Sequence, residues 1–278
     1  MNIGIRAHDF GKLPIEQLAD KISQKGFNYI QLAHGKALEG VDSDLGCLNA
    51  NIARHIGSTF KRKGIEISVL GCYINLVHPD KNERRRLLDK FKEHLRYARD
   101  FGCNIVATET GSLNADLSFN HENHGEKAFD SIAESIRELV REAERFDVIV
   151  GVEGVAKYTI HTPDRMRRLL DAINSNNLQV IFDPVNFIDI NNYKEQDKII
   201  NKCFELFGDK IAAVHAKDFI VQDGEIKSVP AGKGILNYEL VMKFLKQRKP
   251  SIDILIEDIK EPFMEESKKF IEGIYERV

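Results

Sequence analysis

The stretch Val148-Ile149-Val150-Gly151-Val152-Glu153 is a short β-branched apolar run that ends in a carboxylate. Runs of this length and composition are typical of strands that are buried on both faces, as in a parallel sheet. Three later runs also close an apolar segment with a polar residue, at residues 179–183, 213–215 and 253–257. The repeated pattern predicts consecutive strands that bring their last residues to one shared edge.

Apolar runs of this kind alternate with longer segments of helical period along the chain. The predicted strands are residues 3–5, 29–32, 65–70, 105–108, 148–153, 178–182, 211–215 and 252–257, and clear helical periods cover 13–25, 83–101 and 126–146. Glycines stand between a helical segment and the next strand, where a C-cap is expected, at Gly26, Gly64, Gly102 and Gly208. Thr162-Pro163 has the residues of a helix start.

Repeated strand and helix units predict an α/β fold, and specifically a (β/α)8 TIM barrel that forms a single domain over residues 1–278. An open doubly wound sheet is the alternative. The sequence contains neither G-x-G-x-x-G after the first strand nor G-x-x-x-x-G-K-[ST], so the usual support for an open nucleotide-binding sheet is missing.

The composition of the chain argues against several classes of function. Forty basic and forty-three acidic residues give a formal charge of -3, which argues against a nucleic-acid or membrane partner. The four cysteines are scattered without a C-x-x-C pair, so we expect reduced thiols and no cysteine zinc site. The N-terminal residues do not resemble a signal peptide, and no apolar window is long enough for a membrane span. The cytoplasm is the expected location.

The four strand-end residues are Glu153, Asp183, His215 and Glu257. The C-terminal ends of barrel strands form the active-site face, so these side chains are expected to meet there. Three acids and a histidine at that depth would repel one another and lose hydration unless a cation lay among them. Oxygen donors with one nitrogen suit Mn²⁺, Mg²⁺ or Co²⁺ better than a thiol-loving ion.

Several short motifs also resemble a known family, the xylose isomerase-like TIM barrels. The resemblance is to the branch of sugar phosphate isomerases and epimerases that includes hydroxypyruvate isomerase and the ketose 3-epimerases, and it covers nearly the whole chain. The matching motifs are Asn75-Leu76-Val77-His78-Pro79-Asp80, Val152-Glu153-Gly154, Phe182-Asp183-Pro184-Val185-Asn186, Val214-His215-Ala216-Lys217-Asp218, Pro230-Ala231-Gly232-Lys233-Gly234 and Leu255-Ile256-Glu257.

This resemblance implies that Glu153, Asp183, His215 and Glu257 bind one divalent metal ion, with Mn²⁺ expected first and Mg²⁺, Co²⁺ or Zn²⁺ as alternatives. It also implies that the two glutamates face opposite sides of a small carbohydrate or sugar phosphate. One glutamate removes a proton next to the carbonyl to give a cis-enediolate, and return of the proton isomerises or epimerises the sugar. A homo-oligomer, a dimer or a tetramer, is common among such relatives.

Five further residues are candidates for binding the substrate: Asn186, Lys217, His78, Glu109 and His8. Each has a structural alternative. Asn186 stands where the ketose 3-epimerases have a histidine, and an amide still binds a hydroxyl group. Lys217 could instead pair with Asp218 or a neighbouring acid, and His78 could belong to a turn. Glu109 could cap a helix, and His8 could lie in a solvated loop.

Three other functions are alternatives to the isomerase or epimerase. Dehydration of a keto-inositol such as inosose also begins with proton abstraction beside a carbonyl, so it stays open. An AP endonuclease IV-like DNA hydrolase would need a histidine at Asn186 and an Asp-x-His pair near residues 228–232, and both are missing. A non-catalytic sugar-binding barrel would not require the four strand-end side chains to meet.

Overall fold

Eight parallel strands close into a barrel in the computed structural model, which describes residues 1–278. These strands are β1 (Asn2–Arg6), β2 (Tyr29–Leu32), β3 (Glu66–Gly71), β4 (Ile105–Glu109), β5 (Ile149–Glu153), β6 (Leu178–Phe182), β7 (Ile211–Ala216) and β10 (Asp253–Ile256). Around the barrel their order is β1-β10-β7-β6-β5-β4-β3-β2. The predicted TIM barrel is therefore confirmed, and the open sheet was wrong.

Helices surround the barrel and connect its strands. They are α1 (Ile15–Gln24), α2 (His34–Ala37), α3 (Ala50–Arg62), α4 (Lys81–Tyr97), α5 (Glu126–Phe146), α6 (Pro163–Ile173), α7 (Gln196–Phe207), α8 (Tyr238–Arg248) and α9 (Phe263–Arg277). The longest, α5, has the predicted bounds and buries the apolar stripe that includes Phe129, Ile132, Ile136 and Leu139. No helix combines the length and apolar character that crossing a bilayer requires.

Most helix ends follow the sequence signals. The Thr162 hydroxyl accepts a hydrogen bond from the backbone N–H of Arg165 at 3.3 Å, as an N-cap does. Gly26, Gly64 and Gly102 have φ of 71°, 71° and 78°, the left-handed conformation of a C-cap glycine. Gly208 differs, because its φ is -52° and it begins a 3₁₀ turn, Gly208–Lys210, that leads into β7. Gly208 therefore stands at the predicted C-cap of α7, but without the left-handed conformation.

The core has two layers. A small cluster is formed by side chains from five of the barrel strands: Val69, Ile105, Ala107, Ile181, Ala213 and Leu255. A larger cluster of 69 buried residues includes the apolar faces of the strands and of the surrounding helices. Because all barrel strands run in the same direction, their C-terminal ends form one face, and Glu109 is paired in register with Glu153 there.

An antiparallel hairpin that we did not predict extends from the chain after β7. It consists of β8 (Asp218–Gln222) and β9 (Glu225–Val229), joined by Asp223-Gly224. Both turn residues have positive φ, 54° and 78°, as a two-residue type I′ turn requires. An Asp-Gly pair between alternating residues is the sequence signal for such a hairpin.

Two buried histidines next to the barrel make stability depend on pH. His34 and His94 are 1% and 2% exposed, and their rings stack with centroids 5.1 Å apart. Burial lowers the pKa of His34 to about 4 and that of His94 to about 3. Both values lie below the ordinary imidazole pKa, so as the pH falls the unfolded chain takes up protons that the folded chain does not.

We therefore expect the free energy of unfolding to fall below pH 6.5, by about 3 kcal/mol for each of these rings between pH 7 and pH 4. Urea unfolding at pH 7, 6, 5 and 4 measures this loss. His34→Phe keeps a ring that can stack on Phe101, whose centroid is 5.7 Å from that of His34, and should flatten the profile. If the free energy of unfolding of His34→Phe fell as steeply with pH as that of the wild type, His34 would not be a source of the pH dependence.

Candidate active site

Four buried side chains meet at the C-terminal end of the barrel. Glu153 ends β5, His215 lies in β7, and Asp183 and Glu257 each follow their strand by one residue. They are between 0% and 5% exposed. One ligand atom from each lies within 4.8 Å of the others. The structure thus brings together the four residues that the strand-end pattern singled out.

A chain of hydrogen bonds fixes the orientation of His215. The amide nitrogen of Gln31 donates to the Tyr73 hydroxyl at 2.6 Å, so its oxygen faces and accepts from His215 Nε2. His215 Nδ1 then points to Glu153 Oε1 at 3.1 Å and Glu257 Oε2 at 3.3 Å. An unprotonated Nδ1 would direct its lone pair at two carboxylates. A proton or a metal ion between these atoms removes that repulsion.

The pKa of His215 reflects this arrangement. Burial alone would lower it, but the carboxylates of Glu153 and Glu257 outweigh burial and raise the pKa of His215 to about 9. Without a metal ion the ring is therefore protonated at neutral pH. Binding of a metal at Nδ1 would release that proton.

Lys217 supplies a second positive charge inside the cluster. Its Nζ lies 2.8 Å from Asp183 Oδ2 and 2.8 Å from Glu257 Oε1. The first contact is an ion pair, and the buried Asp183 Oδ2 has no partner besides Lys217. Asp218, an alternative partner for Lys217, instead accepts backbone N–H groups of Phe219 and Leu236. Lys217 is thus the internal counter-ion of the cluster.

The pKa values of two acids in the cluster, Asp183 and Glu257, are shifted in opposite directions. Burial raises the pKa of Asp183 to about 7; Lys217 opposes this rise, whereas Glu257 and Glu153 add to it. For Glu257, burial also favours the neutral form, but Lys217, His215 and Arg6 together lower its pKa below the usual carboxyl range. The carboxylate of Glu257 is therefore ionised at neutral pH.

Arg6, Gln31 and Tyr73 contribute to the site although we did not select them. Arg6 Nη1 donates to Glu257 Oε2 at 3.2 Å, and its Nε donates to Asp9 at 3.0 Å. Arg6 ends the first strand, so the rule that selected the later strand ends would have found it. Gln31 was detectable only as a polar residue inside an otherwise buried strand.

The cluster can hold a divalent cation. Its donors are three carboxylates and one imidazole, without a thiol. Opposite ligands of an octahedral magnesium ion, with bonds of about 2.1 Å, lie about 4.2 Å apart, so a spacing within 4.8 Å needs only small side-chain movements. Asp183 Oδ2, whose one partner is Lys217, and the inward Nδ1 of His215 are the kind of atoms that such an ion would satisfy.

The remaining candidates differ in their relation to the cluster. Asn186 Nδ2 donates to Glu153 Oε1 at 2.8 Å. Glu109 lies beside Glu153, and burial followed by repulsion from Glu153 raises the pKa of Glu109 to about 7.

The last two candidates, His8 and His78, have different surroundings. His8 is in the 3₁₀ segment Ala7–Phe10, with its ring edge-on to Tyr73 and its buried Nδ1 without a hydrogen-bond partner. Burial, then Arg6 and Lys36, lower the pKa of His8 to about 4. His78 makes its hydrogen bond within its own loop, accepting the backbone N–H of Asp80 at 3.2 Å. Its role in substrate binding stays a prediction.

Solved structures share this fold. A D-tagatose 3-epimerase-like protein is 19% identical in sequence and superposes with a TM-score of 0.78. The match covers 100% of this chain and 98% of that protein. The 3-keto-D-glucoside 4-epimerase from E. coli is 16% identical with a TM-score of 0.73, covering 98% and 99%. A xylose isomerase-like TIM barrel protein from Mycobacterium smegmatis, in complex with magnesium, is 15% identical with a TM-score of 0.76, covering 99% and 96%.

At these identities the likeness is one of fold. No functionally curated protein matches the sequence significantly. The sequence model of the xylose isomerase-like TIM barrels matches residues 19–274, and the chain therefore belongs to that family.

Proposed function

We propose that the protein is a divalent-metal-dependent isomerase or epimerase of a sugar or sugar phosphate, and that it transfers a proton beside a carbonyl group through a cis-enediolate. The observation that carries this proposal is the buried cluster of Glu153, Asp183, His215 and Glu257 at the active-site end of a barrel of this family. Two solved structures with this fold are a D-tagatose 3-epimerase-like protein and a 3-keto-D-glucoside 4-epimerase.

The four clustered side chains are the proposed metal ligands. A divalent ion would polarise the carbonyl and the neighbouring hydroxyl group of the substrate. This would acidify the C–H bond of the carbon that bears that hydroxyl group. Manganese is the expected ion, with magnesium, cobalt and zinc as alternatives, and the mycobacterial family structure contains magnesium. In the metal-free protein, Lys217 and protonated His215 balance part of the acidic charge.

Glu153 and Glu257 are the proposed acid and base. Their strands are separated around the barrel by β6 and β7, so the two carboxylates approach the mouth from either side of Asp183 and His215. One glutamate accepts the proton from carbon. Return of a proton from the other glutamate to the opposite face inverts that carbon, whereas delivery to the adjacent carbon moves the carbonyl group.

Neighbouring residues hold the two bases in place. Asn186 donates a hydrogen bond to Glu153, and Arg6 donates one to Glu257. The oxygen that Asn186 holds, Glu153 Oε1, also faces His215, whereas both oxygens of Glu257 are held, Oε2 by Arg6 and Oε1 by Lys217. We propose that Asn186, Lys217, Glu109, His8 and His78 contribute contacts to the sugar hydroxyl groups. The cytoplasmic location and the homo-oligomeric state stay predictions.

Deuterium incorporation tests the proposed function directly. The protein, loaded with Mn²⁺, is incubated in D₂O with ketopentoses, ketohexoses, hydroxypyruvate and inososes, and products are analysed by NMR. We expect deuterium at the carbon next to the carbonyl of one ketose, loss of that exchange after chelation, and its return with Mn²⁺. Loss of water from an inosose would indicate a dehydratase instead, and no exchange with any compound would refute the proposal.

A further inference from the structure

A groove of about 590 Å³ opens beside the metal-ligand cluster on the active-site face. Its walls are the segment 188–191 after β6, the hairpin strand β9, the segment 155–157 after β5, and Phe119. Asn186 and Lys217 line the groove and also contact the cluster, at Glu153 and Asp183 respectively, so the groove continues from the reacting centre. A substrate bound at the cluster can therefore extend into it.

Apolar side chains form part of the groove wall. Seven of its sixteen lining residues are apolar, among them Val155, Ile188 and Ile226. Phe119 and Ile190 are 46% and 38% exposed, which is high for large apolar side chains in a concave site. Pockets of this volume accommodate ligands larger than one hexose ring. The lining therefore favours an apolar extension of the sugar.

The charges in the groove do not favour a phosphate. Lys157 and Lys217 are balanced by Asp189 and Glu225. The ammonium of Lys217 already contacts two carboxylates, which leaves Lys157 as the one groove lysine without such partners. Phosphate sites usually combine several arginine or lysine side chains or a helix N-terminus. A neutral group fits this groove better than an anionic one.

We propose that the substrate is a neutral, unphosphorylated glycoside that carries a ketone on its sugar ring, that this ring reacts at the cluster, and that its aryl or alkyl aglycone lies in this groove. The proposal rests on the proposed function, since it names the substrate class for the same site. It assigns the hairpin β8–β9 and Ile190 to substrate selection.

Calorimetric binding tests the groove without any turnover. The Mn²⁺-loaded protein is titrated with phenyl β-D-glucoside, methyl β-D-glucoside, glucose and glucose 6-phosphate. We expect the phenyl glucoside to bind about tenfold more tightly than the methyl glucoside, because the ring buries additional apolar area. We expect glucose 6-phosphate to bind no more tightly than glucose.

Two exposed isoleucines provide a matched pair of variants. Ile190 lines the groove, whereas Ile235 is 50% exposed and lies outside it. Ile190→Asn should remove most of the preference for the phenyl group, and Ile235→Asn should keep it. Loss of the preference in both variants, or in neither, would contradict the assignment.

The outcomes separate this inference from the proposed function. Equal affinities for phenyl and methyl glucoside, or tighter binding of glucose 6-phosphate, overturn the groove assignment even if ketoses exchange deuterium. Equal affinities together with a dimer that Ile190→Asn dissociates would assign the groove to a second copy of the chain. A phenyl preference without deuterium exchange on any ketose, or on a phenyl glycoside with a ketone on its ring, would support the groove and refute the isomerase or epimerase.

Discussion

Glu153→Gln and Glu257→Gln are each expected to lower turnover about a thousandfold, because glutamine keeps the shape of the side chain but cannot accept a proton at neutral pH. Both residues are buried and oriented by neighbouring donors, Glu153 by Asn186 and Glu257 by Arg6 and Lys217. Turnover of the ketose identified by the deuterium screen, measured with saturating Mn²⁺, checks this. Turnover within tenfold of the wild-type value would contradict the assignment of that glutamate.

The two variants also distinguish the roles of the glutamates. A variant that retains the base for proton removal still exchanges the substrate C–H with D₂O but forms little product. A variant that lacks this base loses both exchange and product. Since each glutamate is also a proposed metal ligand, Mn²⁺ affinity is measured by calorimetry for both variants, so that a loss of metal is not mistaken for a loss of the base.

Glu142→Gln provides the matched control. Glu142 is also a buried glutamate, but it lies on α5, where it pairs with Arg96 and Arg145 at 2.7 Å each. We expect its turnover and Mn²⁺ affinity to equal those of the wild type. A comparable loss of turnover in Glu142→Gln would mean that the effects at Glu153 and Glu257 come from instability of the fold.

The sequence predicted the parts of the site that local pattern encodes. A polar residue that closes an apolar strand is visible without any knowledge of the partner strands, and it identified Glu153, Asp183, His215 and Glu257. The barrel then places these strand ends together because all its strands point in the same direction. The sequence pattern does not identify the metal, since the same donors accept several divalent ions.

Other parts depend on contacts between distant segments and were not predictable from local pattern. Lys217 pairs with Asp183 and Glu257 because the ends of three strands meet around the barrel, and the sequence alone left its partner open between Asp218 and a neighbouring acid. Gln31 orients His215 across 184 positions of the chain. The groove exists because the hairpin β8–β9 faces the segment after β6, and that packing has no periodic signature.

Lys217→Met is expected to lower the free energy of unfolding of the metal-free protein by about 3 to 5 kcal/mol, the usual cost of removing one partner of a buried ion pair. Methionine has a similar length and no charge, so the variant removes the ammonium while retaining most of the packing. The buried carboxylates of Asp183 and Glu257 then lose their shared counter-ion, which lies 2.8 Å from each. Urea unfolding in the presence of a chelator measures this loss.

Manganese should reverse much of that loss if the cluster binds a divalent ion. The ion would supply the positive charge that Lys217 no longer provides, so saturating Mn²⁺ should stabilise Lys217→Met more than it stabilises the wild type. Lys227→Met is the control, because Lys227 is an exposed hairpin lysine paired with Asp223 at 3.2 Å, and its removal should cost less than about 1 kcal/mol. Equal stabilisation of Lys217→Met and wild type by Mn²⁺ would show that Lys217 does not balance the charge of the metal ligands.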